Sequence, residues 1–159
     1  PTAGTIRIGG IELGDISKRK IPEYRRRIGV VFQDFRLLPD QTVFENVALA
    51  LRILSKGEPE IFEEVNEILK SVGLEKKGDF FPAQLSAGEL QRTCLARAVV
   101  GQPEIILADE PTGNLDMKTA HQIVDLLGKI NETGKTVMMT THNLEIVKRM
   151  KKRVIELGI

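Results

Sequence analysis

At 159 residues the chain is large enough for one domain with a real core, and 42% hydrophobic with 28% charged residues is an ordinary globular composition. A net charge of +1 leaves no excess basic charge for a nucleic-acid footprint, so nucleic acid is not expected as a partner. No apolar run approaches the roughly 18 residues that span a bilayer, so any membrane role is expected to run through a separate partner.

The basic clusters Lys18-Arg19-Lys20, Arg25-Arg26-Arg27 and Lys148 to Arg153 read as solvated faces. Cys94 is the only cysteine, which excludes an internal disulfide and suggests core packing in a reducing compartment.

In chain order, Pro1 to Gly4 reads as a turn. Thr5 to Ile8 and Ile11 to Leu13 read as a short hairpin about Gly9-Gly10. Ile21 to Arg27 is expected to be a short helix with Pro22 near its start, and Ile28 to Phe32 a buried strand ending at Gln33. After a loop over 34 to 42, Thr42 is placed to cap a helix over Val43 to Leu54. A second helix is expected from Pro59 to Val72, because Ile61, Val65, Ile68, Leu69 and Val72 follow helical spacing and Gly73 terminates it.

A third helix follows Gly88 and runs to Val100. The remainder alternates strand and helix: Glu104 to Asp109, Met117 to Glu132, Thr136 to Thr140, Asn143 to Met150, and a final strand over Arg153 to Leu157. A crossover of that length joins parallel neighbours, which brings Glu110 and His142 to one edge of a sheet.

Two stretches carry chemistry. Ser86-Ala87-Gly88 opens a helix, whose unpaired N–H groups and positive dipole end suit a phosphate. The apolar strand Ile105 to Ala108 delivers Asp109 and Glu110 to the carboxyl edge of the sheet, where ligands bind in open α/β folds. One carboxylate there can hold Mg²⁺ and its neighbour can orient or deprotonate a water. Pro111 is expected to hold Glu110 extended, sending the two side chains different ways. Gln33 ends another strand and can contact both metal and water. His142 follows Thr140-Thr141 at a strand end, whereas His121 sits within a helix and reads as a surface or packing residue. An anion cradle beside a metal-and-water pair suggests nucleotide hydrolysis.

The order Gln33, Leu85-Ser86-Ala87-Gly88-Glu89, Ile105 to Glu110, Asn114-Leu115-Asp116 and His142 resembles the nucleotide-binding subunit of ABC ATPases over essentially the whole chain. Within that family it is most similar to the bacterial cell-division branch, through Phe35 to Pro39 and Ala108 to Asp116. ATPase subunits of lipoprotein or macrolide exporters share much of both stretches, and an importer subunit is a further alternative.

The resemblance implies an α/β, P-loop NTPase-like core with a mostly parallel sheet over 1–39 and 101–159. It also implies a helical subdomain over about 40–100 that ends in the signature helix. ATP and Mg²⁺ are the implied cofactors. Asp109 with Gln33 is implied to bind the metal, and Glu110, His142 and Gln33 are implied to be catalytic. Leu85, Ser86, Ala87, Gly88 and Glu89 are implied to grip the nucleotide of the opposite subunit of a homodimer with two sandwiched ATPs. Asp116 would contact that subunit, and the loop Asp34 to Pro39 would relay nucleotide state to an integral membrane partner, of the FtsX type in the cell-division branch. The implied location is cytoplasmic, peripheral on the inner face of the membrane.

Two departures qualify the resemblance. Ala87 stands where the family has glycine, a change that is nearly neutral if the residue is already helical. No Gly-x-x-x-x-Gly-Lys-Ser/Thr occurs in these 159 residues. The chain is therefore expected to be truncated at the N-terminus and to hydrolyse ATP negligibly on its own. A pseudo-ATPase interaction module is the alternative from another class, opposed by the retention of Gln33, Asp109, Glu110 and His142 together.

Overall fold

Three parallel strands set the frame of this computed structural model, which describes residues 3–157. They are β3 (Ile28–Val31), β4 (Ile105–Asp109) and β5 (Thr136–Thr140), hydrogen-bonded in the order β3-β4-β5. Ahead of them, β1 (Arg7–Ile8) and β2 (Ile11–Glu12) form the expected hairpin, with Gly9 and Gly10 both at positive φ as a two-residue turn requires. Of the expected turn over Pro1 to Gly4, Pro1 and Thr2 lie outside the described residues.

Among the described residues the α-helices are α1 (Ile21–Arg25), α2 (Val43–Ile53), α3 (Glu58–Ser71), α4 (Ala87–Val99), α5 (Met117–Glu132) and α6 (Leu144–Met150). Helix α5 is the crossover between β4 and β5. Several boundaries have a local cause. Thr42 caps α2 in a reciprocal box with Glu45, Gly73 at φ 72° ends the α3 region, and the Asn143 side chain accepts from the N–H groups of Glu145 and Ile146 to start α6.

Two apolar clusters hold these elements. Val43, Val47, Leu51, Ile61, Val65 and Leu69 lock α2 onto α3, with Ala96 and Val100 from the far face of α4. Leu95, Ala98 and Val99 of α4 meet Val31, Ile106 and Ala108 of the sheet, and Ile123 and Leu127 of α5 complete that second cluster. Helix α4 therefore belongs to both. Its approach to the sheet is close: a Cβ on Gly29 would lie 2.2 Å from the carbonyl oxygen of Ala98.

The expected final strand over Arg153 to Leu157 does not form. Lys151 turns into the left-handed region at φ 49°, and Val154, Ile155 and Leu157 are 55%, 67% and 86% exposed. An apolar, β-branched run becomes a strand only where an edge supplies ladder partners, and none of the described strands pairs with this one. Expected boundaries elsewhere hold to within a few residues.

Gly29→Ala should lower stability by about 3 kcal/mol or prevent folding, because the atom it meets is rigid helix backbone. A urea midpoint unchanged from the parent would contradict this close packing of α4 on β3.

Candidate functional site

Strands β4 and β5 end in register, with Asp109 opposite Thr140. The Thr140 hydroxyl donates to Asp109 Oδ1 at 2.7 Å and accepts from the N–H of Glu110 at 3.1 Å. That same N–H also faces the Thr140 carbonyl at 3.2 Å.

Glu110 is not extended as the sequence suggested. It sits at φ 43°, in the left-handed region that costs a non-glycine residue about 1–3 kcal/mol. Its N–H is fixed on Thr140 while its carbonyl accepts from Gly113 N–H at 3.0 Å, and this turn overrides the bias imposed by Pro111. The carboxylates of Asp109 and Glu110 still diverge, one held by Thr140 and the other by His142.

Oε1 of Glu110 accepts from the backbone N–H of His142 at 2.9 Å and lies 2.8 Å from its Nδ1. A carboxylate offers only acceptors, so Nδ1 carries the proton. The second ring nitrogen has no partner among the described residues, and the side chain is 82% exposed against 20% for Glu110. The pair thus presents a half-buried carboxylate and an outward imidazole edge.

Gln33 lies two residues beyond the end of β3 and reaches the same edge. Its carbonyl accepts from Asn114 Nδ2 at 3.1 Å, and its side-chain amide packs on Gly113, where a Cβ would come 3.1 Å from Nε2. The following loop is pinned from two helices. Arg97 of α4 donates to the carbonyls of Arg36 and Phe35 at 2.6 and 2.9 Å, and both of those residues have positive φ. Asn46 of α2, fully buried, accepts from Leu38 N–H and donates to the carbonyls of Leu38, Gln41 and Thr42.

Cys94 is buried with its thiol on the Phe35 carbonyl, and burial pushes its pKa up to about 12, which makes it inert packing as expected. His121 is half-buried on α5, 3.6 Å from Glu145 and away from this edge.

The second cluster opens α4. Ser86 is the N-cap, and Ala87 is the first helical residue with no positive φ, so the alanine carries no steric strain. Leu85 packs against the α2–α3–α4 core. Gly88 lets α4 approach α5 closely, since a Cβ there would meet Thr119 Cγ2 at 2.6 Å. Asp116 caps α5 through Thr119 N–H and hydroxyl at 3.0 and 2.6 Å. Ser86, Ala87, Gly88, Arg92, Asn114 and Asp116 line one polar groove, which contains none of Gln33, Asp109, Glu110 or His142.

Glu89 completes a capping box, accepting from Ser86 N–H and hydroxyl at 2.9 and 2.8 Å, with Lys77 3.1 Å away. These Ser86 bonds, helped by Lys77, pull its pKa from the ordinary 4.5 down to about 2.

Among the described residues no cluster of three or more His, Cys, Asp or Glu could cage an ion. Magnesium does not need one, being held by one or two carboxylates together with phosphate oxygens and water. The free carboxylate oxygen of Asp109 and the amide of Gln33 fit that donor set. Sequence reasoning missed Thr140 and Arg97, whose partners are distant in sequence, and Asn46, whose side chain bonds loop groups four to eight residues back.

Because the folded pKa of Glu89 is depressed, its contribution is fully present above about 4.5 and is lost as pH falls through about 2. Glu89→Gln should therefore be less stable at neutral pH and lose less stability on acidification across that window. Parallel stability curves for the two proteins would refute the capping contribution.

The ABC transporter family model matches residues 1–113. The cell division ATP-binding protein FtsE of Mycobacterium tuberculosis is 48% identical over 159 residues, covering 100% of this chain and 69% of its own length. FtsE of Bacillus subtilis is 52% identical over 155 residues, covering 98% of this chain and 68% of its own. Among solved structures, the dimeric post-hydrolysis state of the ATP-binding cassette MJ0796 bound to ADP and Pi superposes with a TM-score of 0.81 at 41% identity. It covers 92% of this chain and 66% of that one. The chain thus spans about two thirds of the length of the relatives it matches. Its parallel sheet, flanking helices and family match together make this chain a member of the ABC transporter ATP-binding family.

Proposed function

We propose that these residues belong to an ATP-hydrolysing subunit that works in bacterial cell division beneath an FtsX-type integral membrane partner. The cell-division assignment rests on the FtsE relatives, at 48% and 52% identity. The chemical assignment rests on one observation: a single oxygen of Glu110 takes both the N–H and Nδ1 of His142, beside the Asp109–Thr140 pair.

In this reading Glu110 positions and deprotonates the attacking water with its second oxygen, while Asp109 and Gln33 hold magnesium. The metal supplies charge neutralisation on the phosphates when bound. With its Nδ1 proton committed to Glu110, His142 offers the other ring nitrogen to the γ-phosphate. Phosphoryl transfer asks mainly for positioning and charge neutralisation, which such a group set provides.

The groove at Ser86–Gly88 takes the nucleotide of a second copy. Its separation from Glu110 and His142 supports assembly of each site from two chains, with Asp116 at the contact between them. The domain division follows the same lines: 1–39 and 101–159 as sheet core, about 40–100 as helical subdomain. No phosphate-binding loop occurs in these 159 residues, so we expect negligible turnover from them alone. The location is cytoplasmic, against the inner face of the membrane through the partner. Among the described residues no helix is long and apolar enough to cross it.

In the complete protein that carries these residues, Glu110→Gln should lower ATP turnover by about a hundredfold or more while nucleotide binding persists. Phosphate release and equilibrium binding of a fluorescent ATP analogue measure the two. Equal turnover in the parent and Glu110→Gln would end the ATPase reading. The same variant with ATP should accumulate dimer by sedimentation, and a species that stays monomeric at saturating ATP would end the two-copy site.

A further inference from the structure

The proposed catalytic side chains account for Asp109, Glu110 and His142, but not for what holds them in register. One hydroxyl sits between them. Thr140 Oγ1 has a single proton and gives it to Asp109 Oδ1 at 2.7 Å, while a lone pair receives the Glu110 N–H at 3.1 Å. The backbone of Thr140 adds a third contact, its carbonyl 3.2 Å from the same N–H.

These bonds meet at a residue whose backbone is strained. Glu110 stands at φ 43°, where an L side chain is disfavoured, and it stays there only if its surroundings over-determine it. Gly113 N–H on the Glu110 carbonyl fixes the far side of the peptide unit, and Thr140 fixes the near side. The left-handed turn is what sends the Glu110 carboxylate sideways to His142, two residues further along the chain from Thr140.

We infer that Thr140 is a positioning residue: its hydroxyl clamps the Asp109–Glu110 junction and thereby aims the Glu110 carboxylate at His142. The inference rests on the ATPase reading for its consequence in turnover, but not for its geometry. A methyl in place of the hydroxyl keeps the shape and β-propensity of the strand end while removing the donor to Asp109 and one acceptor of the Glu110 N–H. The remaining bond to the Thr140 carbonyl holds the peptide less tightly, and the strained turn relaxes. Asp109 Oδ1 is then free to rotate, and Glu110 no longer meets both N–H groups of His142. Serine restores the hydroxyl and should restore the clamp.

Misplacement of a catalytic group by about 1 Å can cost on the order of a hundredfold in rate. Thr140→Val, in the complete protein, should therefore reduce kcat for ATP by about tenfold to a hundredfold, with KM for ATP within about twofold of the parent. Thr140→Ser should return most of the rate. Urea midpoints should match among all three, since Thr140 is exposed. Should valine disturb the strand end, Thr140→Ala removes the same hydroxyl and gives the same readout.

A second measurement needs no turnover. The imidazole nitrogen resonances of His142, assigned through His142→Ala, should report a proton fixed on Nδ1 in the parent and Thr140→Ser. They should move towards free tautomer exchange in Thr140→Val. An unchanged His142 signature in Thr140→Val overturns the inference whatever the activity. A parent that hydrolyses ATP, a dead Glu110→Gln and a fully active Thr140→Val would overturn the clamp and leave the ATPase reading standing. A parent no more active than Glu110→Gln would overturn the ATPase reading, and the His142 resonances would then decide the clamp by themselves.

Discussion

The parallel register of β4 on β5 is the constraint on which the site depends. Asp109 faces Thr140 because Ile105 faces Thr136, and the intervening pairs are fixed by the burial of Ile106 and Ala108 against α4 and α5. A slip of one residue would turn every side chain to the opposite face and carry Glu110 away from His142. Core packing several ångströms below the edge thus decides which polar groups meet at its rim.

A second constraint acts through α4. The helix is clamped between two apolar clusters, and its Gly29 contact leaves no room to slide. From that position Arg97 holds the carbonyls of two left-handed residues just beyond Gln33, and Ser86 opens the groove at the other end of the same helix. The loop just after Gln33 and the Ser86 groove are therefore both attached to α4. Asn46 fixes the far side of the loop from α2, so the segment between sheet and helices has little freedom despite its lack of regular structure.

The opening of α4 has its own electrostatic logic. The Ser86 hydroxyl proton is already given to Glu89, and Lys77 balances that carboxylate. The helix dipole favours Glu89 in the first turn for the same reason that it favours a phosphate there. In the proposed two-copy site, a phosphate and Glu89 would compete for one hydroxyl, and the Ser86 N–H and Lys77 still hold the carboxylate when the hydroxyl leaves.

Much of this was legible without coordinates, because it follows from local rules. The helix α3 announces itself by 3.6-residue spacing, and Thr42 and Gly73 mark where α2 begins and the α3 region ends. The strand-helix-strand order from Ile105 to Thr140 implied a parallel pair, and so brought Glu110 and His142 to one edge. Other features are decided only when distant segments meet. Whether Val154, Ile155 and Leu157 form a strand depends on a free partner edge, so their composition misled. The left-handed turn at Glu110 is imposed by Thr140, thirty residues away in sequence, against the preference of its own Pro111. Spacing along the chain names the groups that can do the chemistry. Their aim is set by hydrogen bonds between strand ends, and those exist only once the sheet has chosen its register.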